Sequence, residues 1–170
     1  MRGSLRTPAP HGAGGFTMIE LIVVIVIMAI MASFAAPRFF SNGDIEGPGF
    51  AQELASAARY AQKLAVTSGC PVRITVSTTG YYLTQPQSAP GASCDTSFTR
   101  AVLSPASGEA YSGTAPAGVS IGGVVPITVQ FNARGVPEST AGTELASNAA
   151  VSIAGLSIVI TAHSGYVDIQ

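Results

Sequence analysis

The stretch from Leu21 to Pro37, LIVVIVIMAIMASFAAP, contains no charged side chain. A run of that length is too long for an ordinary strand and has no polar side to turn to water. At about 1.5 Å per residue, roughly 20 helical residues cross a bilayer core. Counted from Phe16, the apolar segment holds one charge, Glu20, near its entrance. The residues before it, MRGSLRTPAPHGAGG, are rich in Gly and Pro and carry Arg2 and Arg6 but no acid. Positive charge ahead of a span keeps that end cytoplasmic and sends the rest of the chain outward.

Three kinds of segment fit this outline. One is a secretory signal peptide, cut near Ser33 to Ala35 after its apolar core. Another is a plain signal anchor. The third is a prepilin signal, cut before the apolar run so that the helix stays on the mature chain. Glu20 separates them. A charge within the membrane costs about 2.5–3.5 kcal/mol even on insertion scales, and an ordinary signal core has no use for it.

The order Gly15-Phe16-Thr17-Met18-Ile19-Glu20-Leu21, set against an uninterrupted apolar helix, resembles the class III signal of type IV pilins and type II secretion pseudopilins. The resemblance implies cleavage by a prepilin peptidase after Gly15 and N-methylation of Phe16. It also gives Glu20 a role in assembly, paired with the amino group of Phe16 on a neighbouring subunit. Gly15 has no side chain, so a protease can approach the backbone there. The simpler reading is that Glu20 only reaches up to the headgroups. Pro37 matches the helix-bending proline common near the far end of the span in that family.

Beyond the span, SNGDIEGPG over 41–49 carries three Gly and one Pro and predicts a linker or kink. A helix is expected from about Phe50 to Ser68. Phe50, Leu54, Ala57, Ala61, Leu64 and Ala65 fall on one face, with Gln52, Ser56, Arg59 and Lys63 on the other. From Val72 the period changes to two, and GYYLTQ after Thr-Thr-Gly predicts a hairpin. RAVLS is a candidate short strand, and residues 105–116 read as turns. Ile127, Val129 and Phe131 alternate, and NARGVPESTAGTE reads as a loop. AVSIA, LSIVIT and GYVDI close the chain as strands.

One helix followed by antiparallel strands is an α+β pattern. It agrees with the pilin-like arrangement that the resemblance implies: a long N-terminal helix, transmembrane and then amphipathic, packed on a small antiparallel β-sheet domain. The expected divisions are a leader over 1–15, a transmembrane and assembly helix over 16–37, a linker or kink over 38–49, and a periplasmic globular domain over 50–170. The passage ARYAQKLAVTSGCPV, the segment FNARGVP and the closing hairpin resemble the GspH/FimT group of minor pilins and pseudopilins. APRFF with RYAQKLA also resembles minor pilins of MSHA-type pili. The implied location is the inner membrane, single-pass, and then a pilus or pseudopilus.

Two cysteines, Cys70 and Cys94, in a chain with an export signal suggest one disulfide, against two unpaired thiols as the alternative. They lack the spacing of a zinc site. Only His11 and His163 are histidines, and no metalloprotease, nucleophile-elbow or phosphate-loop motif occurs. No catalytic residue, metal or cofactor is expected. DNA capture for uptake, the FimT-like alternative, requires clustered cations. From Arg38 onward six basic residues face eight acidic ones, and the last strands carry no base. DNA is therefore not the expected partner. Other pilins or pseudopilins and the prepilin peptidase are.

Overall fold

The change of period at Val72 marks where helix gives way to sheet. In the computed structural model, residues 15–39, 42–87 and 93–170 are described, with side chains over 15–32 and from 45 onward within them. The chain divides into two compact units, Met1–Phe40 and Ser41–Gln170.

The first unit contains helix α1, Met18–Phe39. Its large apolar side chains are exposed on every side, from Met18 at 86% to Ile22 at 48%. Among the described residues of this unit nothing covers them, so the described part of the helix presents apolar side chains around its circumference. Side chains are described as far as Ala32, which spans only about 22 Å of helix. Among the described residues no helix is long and apolar enough to cross a membrane.

The second unit begins with α2, Asn42–Ser68. Helix occupies 42–49, within the segment read as a linker or kink, and the unit starts before Phe50 with Pro48 inside the helix. Phe40 and Ser41 lie outside the described residues. Packing explains one of the glycines that suggested a break. A Cβ on Gly47 would run into the side chain of Ala154, so this glycine permits close approach and is not a turn.

The strands are β1 (Val72–Ser77), β2 (Gly80–Gln85), β3 (Arg100–Ala101), β4 (Ser112–Thr114), β5 (Ile121–Gly123), β6 (Ile127–Phe131), β7 (Pro137–Glu138), β8 (Ala149–Ile153), β9 (Leu156–Ile160) and β10 (Val167–Ile169). They form two antiparallel sheets. One runs β3-β2-β1-β6-β7, with β4 also on β2, and the other runs β10-β9-β8-β5. Register keeps one face apolar: Ile74 lies between Leu83 and Val129, and Ile158 between Val151 and Ile169.

Helix α2 lies on both sheets. Its buried residues are Phe50, Leu54 and six alanines between Ala51 and Ala65, all at or below 2% exposure. Alanine is small enough for strands on two sides to approach the helix, so the buried stripe is wider than spacing suggested. Between the sheets the core is filled by Val72, Ile74, Phe131, Ile153 and their neighbours.

Three short strands were not expected. β4 falls in the predicted turns, β7 falls in the predicted loop, and β5 had no prediction. None carries an alternating apolar pattern of useful length. Each is held by its neighbour in the sheet: β4 by β2, β7 by β6 and β5 by β8.

Candidate functional site: the amino-terminal motif

Gly15, Phe16 and Thr17 precede α1 and are non-helical and exposed. The helix starts at Met18 because Thr17 caps it. Thr17 Oγ1 accepts from the Glu20 backbone N–H at 3.2 Å, and the Thr17 N–H donates back to Glu20 Oε2 at 3.5 Å. This is the reciprocal capping box, in which a Thr and an acid three residues later satisfy donors that the first helical turn leaves free. An acid in that turn also meets the positive end of the helix dipole.

Thr17 was missed as a contributor. The sequence carries its signal as Thr-x-x-Glu before an apolar run. The capping box answers part of the question that Glu20 raises. The side chain is held close to the backbone just after Phe16, one residue from the position where cleavage would create a new amino group. Gly15, Phe16 and Glu20 therefore lie together at one end of α1. Residues 1–14, the rest of the expected leader, lie outside the described residues.

Cys70 and Cys94 lie elsewhere, in the second unit. Their sulfurs are bonded and their Cα atoms are 5.5 Å apart, within the usual disulfide range. Cys70 follows the end of α2, and Cys94 begins a strap that crosses the outer face of the first sheet. Arg73 holds that strap down: its guanidinium lies 3.6 Å from the Phe98 ring centre and donates to Gln130 Oε1 and the Thr140 carbonyl. Burial lowers the pKa of Arg73 from its ordinary value, and it remains a cation.

Other charged residues are also engaged. Arg134 pairs with Glu144 at 3.3 Å, and His163 lies 3.7 Å from the same carboxylate. Arg59, expected on the solvent face, reaches over the edge of β10 and donates twice to the Val167 carbonyl. His163 faces Glu144, and Ser164 Oγ accepts from the Tyr166 N–H.

Comparison with known proteins supports the motif and the domain independently. Residues 11–36 match the prokaryotic N-terminal methylation motif. Residues 51–163 match the family described as type II transport protein GspH. No curated protein and no solved structure gives a significant match. The motif implies peptidase processing, and pseudopilins pass from the inner membrane into a pseudopilus. The GspH match spans most of the chain and comes directly after a methylation motif. The chain belongs to the GspH family of type II secretion: it is a minor pseudopilin, a structural subunit and not an enzyme.

Proposed function

We propose that this pseudopilin is cut after Gly15, methylated on Phe16, and drawn into the filament by a charge pair. The pair joins the Glu20 carboxylate to the Phe16 amino group of the adjacent subunit. Residues 16–37 anchor the chain once through the inner membrane, and the unit from Ser41 onward lies in the periplasm. There Cys70 and Cys94 are oxidised. One observation carries this reading: Glu20 is the sole charge on the described, outward-facing apolar side chains of α1, and it lies beside the residues of the cleavage site.

The capping box favours a second reading, in which Glu20 serves only its own helix end. Two substitutions separate them. Glu20→Gln keeps the box, because Gln also serves at this position, and removes the charge. Glu20→Val removes both. The assembly reading expects both variants to be processed and inserted but to fail to crosslink into filaments. Normal filament entry by Glu20→Gln, with failure only in Glu20→Val, would assign Glu20 to the cap alone.

DNA capture has less support. Arg59, Arg73 and Arg134 are committed to protein contacts on different parts of the second unit. Retention of duplex DNA by the purified protein, with a steep salt dependence, would restore it.

A further inference from the structure

A pocket of about 380 Å³ opens on the outer face of the first sheet, between the strap that starts at Cys94 and the turn over 139–142. That volume is in the range of small-ligand sites. Strand β1 directs Arg73 to this face, because Val72 and Ile74 on either side of it point into the core. Arg73 is held there by three contacts. Its Nε donates to Gln130 Oε1 at 3.0 Å, and its Nη2 donates to the Thr140 carbonyl at 3.0 Å. The Phe98 ring covers one face of the guanidinium, 3.6 Å away.

All three partners are neutral. Among the described residues Nη1 has no acceptor, and neither ion pair involves Arg73. The acids nearby are engaged elsewhere. Asp95 lines the pocket, but its carboxylate accepts from the Thr96 N–H and the Ser97 hydroxyl. Glu138 accepts from the Gln130 and Asn132 amides and reaches Arg73 only through Gln130. A cation partly removed from water without an anion is costly, and a neutral side chain could serve as a strut for the strap. The guanidinium is instead fixed in place with donors to spare, the state in which binding loses least freedom.

We propose that this pocket binds the free C-terminal carboxylate of an extended peptide segment, with Arg73 as the group that receives it. A guanidinium fork suits carboxylate and phosphate alike. Asp95 in the same wall discriminates between them, because it repels a phosphate dianion more than a carboxylate. The pocket also sets acceptors beside the cation, the Thr140 carbonyl and the Asp95 carboxylate. A chain end brings a peptide N–H next to its carboxylate to meet them, whereas an acidic side chain carries its carboxylate on methylene groups. Ala141 and Gly142 are small and leave room for the last side chain. The inference does not depend on processing at Gly15 or on the charge pair at Glu20.

The test uses the full-length chain in uncharged detergent micelles and follows the Arg73 Nε–H and the Gln130 side-chain amide by NMR. The probe is the peptide acetyl-Gly-Ser-Ala-Val with a free carboxylate. It should shift both signals and bind roughly tenfold or more tighter than the same peptide amidated at its end. It should exceed by as much a peptide amide ending in Asp, whose carboxylate lies on the side chain. Inorganic phosphate should bind no better than the amides. Arg73→Gln should abolish binding, read at Gln130. That change also loosens the strap, so Ala141→Trp is the second variant. It fills the pocket from an exposed position and leaves the three Arg73 contacts in place. It should lower affinity roughly tenfold or more with the thermal midpoint unchanged. Equal binding of the free and amidated peptides, equal binding of the Asp amide, tighter binding of phosphate, retained binding in Ala141→Trp, or no shift at millimolar free-carboxylate peptide would each overturn the proposal.

Discussion

The Tyr81 hydroxyl donates to Glu53 Oε1 at 2.7 Å, and this bond ties β2 to the exposed side of α2. Burial, and then the bond and the charge of Glu53, push the Tyr81 pKa far above its ordinary value. The neutral phenol is therefore the form that stabilises the fold. Its contribution is complete below the unfolded value of about 10 and is lost as pH rises from there toward the higher folded value. Tyr81→Phe should cost about 1–2 kcal/mol at neutral pH. Urea midpoints measured between pH 8 and 12 should fall less steeply in Tyr81→Phe than in the wild type. Parallel curves would refute this account.

Glycine at position 47 allows α2 to rest on Ala154, in the β8–β9 turn. Ala154 and Gly155 both have positive φ, 50° and 80°, as a two-residue type I′ hairpin requires. The turn cannot shift freely to make room. Gly47→Ala should therefore destabilise the second unit by about 1–3 kcal/mol through overpacking, although alanine favours an isolated helix. A thermal midpoint equal to or above wild type would contradict the contact.

Replacing Cys94 with Ser releases the strap at one end of a loop with a sequence separation of 24. Loss of such a bridge is worth about 2–4 kcal/mol, so the variant should unfold at lower denaturant. Thiol labelling of the unreduced, denatured wild type should find neither cysteine free. Labelling of both in protein taken from the periplasmic side would overturn the pairing.

Gly15 should be essential for processing. A bulky residue such as Gly15→Leu should leave the chain uncut, whereas cleavage of the wild type removes everything up to Gly15. The two sizes separate on a gel, and a variant that still shortens would remove Gly15 from the cleavage site.

Thr17→Ala should remove the side-chain half of the capping box and cost about 1 kcal/mol of helix stability at that end. Gly15 is left intact, so cleavage should persist. The effect belongs in fraying of the first turn, read by hydrogen exchange in detergent micelles. Unchanged exchange at Met18 to Glu20 would show that the cap contributes nothing there.

The sequence by itself determined the features that arise from nearest-neighbour chemistry. An uncharged run from Leu21 to Pro37 can be little other than a helix needing an apolar surrounding, and the order from Gly15 to Glu20 identified the prepilin-type methylation motif. Alternation at Val72, Ile74 and Val76 fixed which face of β1 is buried, because a strand has period two. The end of α2 at Ser68 was legible from Gly69 and Pro71. Tertiary structure alone decided the rest. Helix over 42–49 depends on what Gly47 meets, and Ala154 is more than a hundred residues away. β4, β5 and β7 exist because a neighbouring strand supplies their hydrogen bonds, which segments of two or three residues do not announce. Arg59 reads as a solvent residue until β10 brings the Val167 carbonyl beneath it. Pairing between distant residues leaves no periodic trace in either partner, so packing had to reveal it.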